Sequence, residues 1–155
     1  MDTSAIAASG SNVRSLVKET DVAASPMDVW SAWTSNEGMA GWWGAPETNI
    51  ELRIGGPFEI LFDMEQPEGL RGSEGCKVLA YVPGESFSFT WNAPPQLVLR
   101  SVNTWVVLTF SQSASGTTVR LVHTGFLEGP DWDDYMAYFD RAWDSVLDLL
   151  REHWG

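Results

Sequence analysis

The sequence predicts an α+β fold in which a curved antiparallel sheet of six or seven strands encloses a long C-terminal helix. Seven short segments show the alternating polar and apolar pattern of strands, and Gly, Pro and Ser turns separate most of them. Two short helical segments follow the first strand, and the segment after Pro130 has a helical period. This order of elements places the long helix on one face of the sheet.

The first elements are a strand and two short helices. Residues 14–22 alternate between polar and apolar side chains and predict the strand. Ser25 is a suitable N-cap for the first helix, and Pro26 suits its first position because no N–H partner is needed there. A second cap at residues 34–36 begins a further helical turn, which ends before Gly44.

Six more strands are predicted, and turn sequences bound several of them. They span residues 50–54, 58–62, 74–81, 86–91, 103–110 and 117–123. Hairpin turns are expected at the Gly-Gly-Pro of residues 55–57, at Pro-Gly 83–84 and at Ser-Gly 115–116. The two longer links, residues 63–72 and 92–100, are expected to form loops at the mouth of a cavity.

The long helix is predicted from apolar side chains that recur at three- and four-residue steps. They are Trp132, Tyr135, Met136, Phe139, Ala142, Trp143, Val146, Leu147, Leu150 and Trp154. Acidic and basic residues occupy the opposite face, so one face of this helix should lie on the sheet and the other in solvent.

Length, charge and cysteine content limit the class of protein. A chain of 155 residues fits one domain, predicted at residues 13–155 after a flexible leader of small and polar residues at 1–12. A net charge of −12 disfavours nucleic acids and anionic membranes as partners, and no apolar stretch approaches the roughly 20 residues of a membrane span. The lone Cys76 and the lack of a signal-peptide pattern predict a cytoplasmic location.

Few residues offer catalytic or metal chemistry. One Cys and two His are too few for a zinc site, so neither a metal nor a cofactor is expected. Glu59 and Glu74 would form an acid–base pair only if both faced inward, and strand alternation favours the outward, solvated orientation. His123 is interpreted first as a hydrogen-bonded structural histidine and second as a weak candidate for acid–base catalysis or ligand contact. No catalytic residue is assigned.

Aromatic and aliphatic side chains that share strand and helix faces define the candidate wall of a cavity. These candidate ligand-binding residues are Trp42, Trp43, Phe58, Ile60, Phe62, Phe87, Phe89, Trp91, Trp105, Val107, His123, Met136, Phe139 and Trp143. Arg53 and Asn103 are further candidates for orienting a polar end of the ligand. Alternation leaves open which parity faces inward and whether the same side chains fill the interior completely.

Several short motifs together carry a resemblance to a known family. They are Ala24-Ser25-Pro26 with Val29-Trp30, the segments 52–58, 78–83 and 87–91, Gly116-Thr117 with Leu121 and His123, and Ala142-Trp143 with Leu147 and Leu150. With these motifs, residues 20–152 resemble proteins similar to the activator of the Hsp90 ATPase, within the START and birch-pollen-allergen-like (SRPBCC) superfamily. The resemblance implies a helix-grip fold and a cavity able to hold an apolar small molecule. Ala142 stands where relatives often have Gly, so its methyl group could narrow that cavity or move the helix slightly outward.

Three functions are compatible with this sequence. The preferred hypothesis is binding of an apolar or aromatic small molecule in an internal cavity, without an assigned reaction, so an enzyme is not favoured. The first alternative is a cyclase or hydratase that uses the same cavity, with His123 as acid–base group. The second is a protein that modulates a chaperone ATPase, which is the least expected because scattered acidic residues leave no apolar docking patch. A homodimer is compatible with each.

Overall fold

A computed structural model describes residues 13–155, and the predicted leader at residues 1–12 lies outside the described residues. In chain order the elements are β1 (Arg14–Val22), α1 (Pro26–Thr34), α2 (Asn36–Ala40), β2 (Glu47–Ile50), β3 (Phe58–Leu61), β4 (Val78–Val82), β5 (Ser86–Trp91), β6 (Thr104–Ser113), β7 (Gly116–Phe126) and α3 (Pro130–His153). The predicted α+β class, the two short helices and the long C-terminal helix are confirmed.

The strands form two antiparallel sheets. The larger has the order β1-β7-β6-β5-β4, and the smaller pairs β2 with β3. Isolated bridges from Pro57 to Lys77 and from Leu61 to Gly72 connect the smaller sheet to the chain that precedes β4. The two sheets therefore join beside β4, and the loops that follow β3 and β5 lie on the same side of the molecule as this junction.

The two short helices begin at the predicted caps. The Ser25 hydroxyl accepts a hydrogen bond from the Asp28 N–H at 3.2 Å, and Pro26 occupies the first turn of α1. Ser35 ends α1 in an extended conformation and caps α2 by accepting from the Gly38 N–H at 2.9 Å. A Cβ atom at Gly38 would lie 2.3 Å from the Ser31 carbonyl oxygen, so glycine is required where α2 folds back on α1.

The strand predicted at residues 50–54 is wrong in its position. The strand is β2 at Glu47–Ile50, and the chain turns after it because the Arg53 N–H bonds back to the Glu51 carbonyl oxygen at 2.9 Å. The side chain of Asn36 binds the end of β2, since its Oδ1 accepts from the Ile50 N–H at 2.9 Å and from the Thr48 hydroxyl at 2.7 Å. A side chain from α2 thus occupies hydrogen-bonding groups that a longer strand would have presented to a neighbour.

Several other strand boundaries, though not those of β1 and β5, also differ from the alternation pattern. β4 begins at Val78 instead of residue 74, because the Glu74 carboxylate accepts backbone N–H groups of the preceding loop. β6 and β7 are longer than predicted, and their hairpin closes with Ser113 paired to Gly116. Backbone pairing continues beyond the apolar pattern since ladder hydrogen bonds do not depend on side-chain polarity.

The long helix lies across the concave face of the larger sheet. Its buried residues are Tyr135, Phe139, Trp143, Leu147 and Leu150. On its outer side, the Lys18 ammonium of β1 reaches Asp140 at 2.7 Å and Asp144 at 3.1 Å. Hydrogen bonds and attraction to these two carboxylates raise the pKa of Lys18 above its ordinary value. Among residues 13–155, no helix combines the length and apolarity that a membrane crossing requires.

Candidate functional site

The space between the sheet and α3 is filled by aromatic rings over most of its length. Phe58 stacks near Phe89 with ring centroids 4.2 Å apart, and Trp33 lies 4.7 Å from Trp42. Trp91 of β5 reaches Trp143 of α3 at 5.8 Å, which joins the two sides of the grip. Close-packed rings leave no room for a ligand, so this part of the interior is a core.

A buried hydrogen-bond network crosses the core at His123. Trp143 Nε1–H donates to His123 Nδ1 at 2.9 Å, and His123 Nε2 lies 2.6 Å from the Thr104 hydroxyl oxygen. Thr104 in turn donates to the Trp91 carbonyl oxygen at 3.2 Å, and the Tyr135 hydroxyl donates to the Val102 carbonyl oxygen at 3.1 Å. The network ties α3 to β5, β6 and β7.

These partners determine the state of His123. An indole N–H can only donate, so Nδ1 accepts and the ring proton of neutral His123 is on Nε2, from which it is donated to Thr104. Burial lowers the pKa of His123 to about 3, far below its ordinary value of 6.5. Burial also raises the pKa of Tyr135 to about 12. Both ring nitrogens of His123 are bonded within the protein, which favours the structural role over the catalytic one.

An open cleft of about 530 Å³ lies at one end of the grip, between α3 and the loops at residues 63–72 and 92–100. A deeper pocket of about 160 Å³ extends inward from it along α3. Phe62, Trp91, Tyr138 and Phe139 line both spaces, so the two spaces adjoin, and together we call them the aromatic cleft. The deeper part is also lined by Trp43, Ala142, Trp143 and Val146. Loops at the mouth of a cavity were predicted at these two segments, and residues from both segments line the outer part of the cleft.

Comparison with known proteins assigns the chain to a family. Residues 23–155 match the family model described as Activator of Hsp90 ATPase homolog 1-like protein. The chain belongs to this family. No match was found among curated proteins.

Solved structures of this family and related proteins have the same fold. A protein from Mesorhizobium loti is 24% identical with a TM-score of 0.72, covering 90% of this chain and 96% of that one. The Aha1 dimer from Colwellia psychrerythraea is 20% identical with a TM-score of 0.66, covering 91% and 96%. An AHSA1-like protein from Rhizobium etli is 19% identical with a TM-score of 0.64, covering 92% and 83%. At these identities the likeness shows the helix-grip fold alone.

In this member of the Hsp90-activator-like family, five predicted binding residues line the aromatic cleft. They are Trp43, Phe62, Trp91, Phe139 and Trp143. Six others are buried and line neither part of the cleft, namely Trp42, Phe58, Ile60, Phe87, Phe89 and His123. Of the five that line it, Phe62 is exposed and the other four are at most 8% exposed. Met136 is half-buried and packs against the core from α3. The predicted residues therefore divide into those that pack in the core and those that line the cleft.

Trp105 and Val107 lie on the opposite face of the sheet, which corrects the conditional placement of these β6 residues in the cavity wall. Val106 pairs with Phe89 on one side and His123 on the other, and all three are fully buried. Directly paired residues share a face, so residues 105 and 107 point outward. Trp105 is 40% exposed and covers Gly125, where a Cβ atom would lie 2.7 Å from the indole.

The candidates for orienting a polar group, Arg53 and Asn103, do not line the aromatic cleft. Arg53 lies in the exposed turn after β2 and binds Glu51 at 3.3 Å. Asn103 lines a separate surface depression beside Arg100. The carboxylates of Glu59 and Glu74 are likewise used structurally, since Glu59 accepts from the Asn49 amide at 2.9 Å and from the Gly75 N–H at 2.8 Å.

Sequence reasoning missed the polar entrance of the cleft and one helix residue. Tyr138 lines both parts of the cleft but lies one position outside the apolar stripe of α3. Arg71 and Arg100 line the entrance from the two loops, where no periodicity indicates direction. The sequence signals for this entrance were the lengths of the two loops and their Gly and Pro content.

The two entrance arginines have different surroundings. The Arg100 guanidinium donates to the carbonyl oxygens of Ala93 and Gly69 and lies 3.7 Å from the Glu74 carboxylate. Burial alone would raise the pKa of Glu74, but N–H groups of Arg71, Gly72 and Gly69 donate to its carboxylate and lower the pKa below its usual value. Arg100 and Glu74 therefore fasten the two loops together.

Proposed function

We propose that this chain binds an apolar or aromatic small molecule in the aromatic cleft. The observation that carries the proposal is the shape of the interior: the core is filled, while Phe62 and Tyr138 remain accessible beside an open cleft that the largely buried rings of Trp91 and Phe139 also line. Phe62 is 44% exposed there, at the boundary between the outer and deeper parts. Mostly apolar concave sites of several hundred Å³ with a few polar groups are typical of small-molecule binding.

The rings of the cleft suit a flat ligand. Trp91 and Phe139 contribute to the floor, and Phe62 and Tyr138 stand where both parts of the cleft meet. A ligand ring would contact these side chains in offset or edge-to-face geometry. Burying about 400 Å² of apolar surface on the ligand and the cleft together contributes roughly 10 kcal/mol, of which association costs remove about half. We therefore expect modest affinities for small aromatic probes, with dissociation constants on the order of 100 μM.

The proposal predicts that filling the deeper pocket weakens ligand binding. Ala142 lines that pocket, so Ala142→Leu places three additional carbon atoms in it. We expect affinity for the neutral dye Nile red to fall about tenfold or more, because a loss of about 1.4 kcal/mol in contacts is a tenfold change. The measurement is a titration of dye fluorescence against protein concentration.

Ala137→Leu is the matched control, since Ala137 lies on the exposed face of the same helix. This variant should bind the dye like the wild type, and both variants should retain cooperative thermal unfolding. Native mass spectrometry of gently purified protein would show any ligand carried from the cell. Equal dye affinity in the Ala142→Leu and wild-type proteins would contradict the proposal.

The alternative functions have less support. A cyclase or hydratase would use His123, whose ring nitrogens bond to Trp143 and Thr104 and which lines neither part of the aromatic cleft. Modulation of a chaperone ATPase is suggested by the description of the family alone. Homodimer formation also stays a prediction, because the Colwellia psychrerythraea dimer is 20% identical to this chain.

A further inference from the structure

We infer that Arg71 makes the aromatic cleft selective for amphipathic anions, in which an apolar ring system carries a carboxylate at one end. The inference rests on the proposed function and adds the chemical class of the ligand. Its basis is the position of Arg71 at the cleft entrance together with hydrogen-bonding capacity that residues 13–155 leave unused.

The Arg71 side chain is held in place through only part of its guanidinium. Its Nε–H donates to the Gln66 carbonyl oxygen at 2.8 Å, within the loop that borders the cleft. Within residues 13–155, its two terminal nitrogens make neither a hydrogen bond nor an ion pair. A guanidinium fixed in this manner still presents two donors, and two parallel N–H groups match the oxygens of a carboxylate.

Arg100, the second arginine that lines the cleft, has a structural role and serves as a comparison for Arg71. Its terminal nitrogens donate to the carbonyl oxygens of Ala93 and Gly69, and Glu74 supplies the compensating charge. Both arginines line the same cleft, but among the described contacts only Arg71 leaves both of its terminal nitrogens unbonded. Arg71 is therefore the group that can recognise a ligand without breaking contacts between the loops.

The charges around the entrance are compatible with an anion at Arg71. Asp63 is the acidic side chain that lines the cleft, and its Oδ1 accepts the Glu65 N–H at 3.1 Å. Asp63 is exposed and forms no ion pair with Arg71 within residues 13–155. Direct bidentate contact with Arg71 outweighs a screened repulsion from an exposed carboxylate, because salt and water weaken the latter.

The test compares two probes of the same shape, 1-naphthaleneacetate and its neutral amide 1-naphthaleneacetamide. We expect the wild-type protein to bind the carboxylate about five- to tenfold more tightly than the amide, since hydrogen bonds between charged groups are the stronger ones. Arg71→Gln should remove this preference while leaving amide binding unchanged. Arg71→Lys, which keeps the charge without the planar fork, should retain part of it. Isothermal titration calorimetry measures all the affinities.

Arg120→Gln is the control for net charge, because Arg120 is exposed on the outer face of the sheet and pairs with Glu19 at 3.8 Å. This variant should keep the carboxylate preference. Equal binding of both probes by the wild type, or an unchanged preference in Arg71→Gln, overturns the inference while the proposed function stands. Tighter binding of the cation 2-(1-naphthyl)ethylammonium also overturns it and assigns recognition to Asp63. Failure of the wild type to bind any of the three probes overturns both proposals.

Discussion

Two adjoining parts of the grip, which we call the closed end and the open end, both consist largely of aromatic side chains but use them differently. At the closed end, His123 bonds to Thr104 and to the indole N–H of Trp143 inside an aromatic core, while the Trp143 ring also borders the deeper part of the cleft. At the open end, aromatic rings also come from the sheet and α3, yet they face a cleft. There Arg71 retains unused donors within the described part of the chain.

The difference shows that aromatic content alone does not identify a binding site. What distinguishes the ends is whether side chains find all their partners within the fold. At the closed end the polar atoms are paired, and among residues 13–155 the single buried side-chain donor without a partner is Trp33 Nε1, against the rings of Trp42 and Trp43. Groups without internal partners at the open end are available to a ligand, whereas those in the core stabilise the fold.

The largest expected difference between the ends is in stability. Phe89 has no exposed surface and contacts Phe58, so Phe89→Ala should lower the free energy of unfolding by about 3–5 kcal/mol through lost burial and a cavity. The measurement is equilibrium unfolding in urea, followed by tryptophan fluorescence. Phe62→Ala removes the same side chain from the open end, where it is 44% exposed, and should cost less than half as much stability while weakening dye binding. Similar stability losses in both variants would remove the distinction between the ends.

The closed end should also make stability depend on pH. Folding lowers the pKa of His123 from 6.5 to about 3, so the unfolded chain binds more protons between these values and stability falls as pH falls. The titration of His123 alone should lower the free energy of unfolding by about 2 kcal/mol between pH 7 and pH 5. Urea unfolding at several pH values measures this dependence. The pH values lie above the range in which the lowered pKa of Glu74 affects stability.

His123→Gln is the control for the pH dependence. The Gln amide can accept from Trp143 and donate to Thr104, as the neutral ring does, but it does not titrate. The variant should therefore lose most of the pH dependence between pH 7 and pH 5. An equal slope in the variant and the wild type would show that other groups cause it.

The smallest effect is expected on the outer face of the sheet. Trp105→Ala should leave the affinity for Nile red unchanged, because the indole covers Gly125 and does not line the aromatic cleft. The same titration used for Ala142→Leu measures it. A loss of affinity comparable to that of Ala142→Leu would place a binding surface on the outside of the sheet.

Local patterns in the sequence determined the elements and the fold class. The helical period after Pro130 predicted α3, Ser25 and Pro26 predicted the start of α1, and β1 and β5 have the predicted bounds. The family resemblance is confirmed by the match over residues 23–155. These features depend on side chains near one another in sequence, where capping geometry and periodicity act.

Tertiary structure alone decided which aromatic residues face a cleft and which arginine is free. The outward orientation of Trp105 follows from its register with β5 and β7, and the end of β2 follows from Asn36 in a different element. The Arg100 side chain bonds to the Gly69 carbonyl oxygen and pairs with Glu74 outside its own loop, whereas among residues 13–155 the Arg71 side chain bonds only within its own loop. Alternation and composition do not identify contacts between residues far apart in sequence. These orientations and contacts therefore became known only from the strand pairing and the loop contacts of the folded chain.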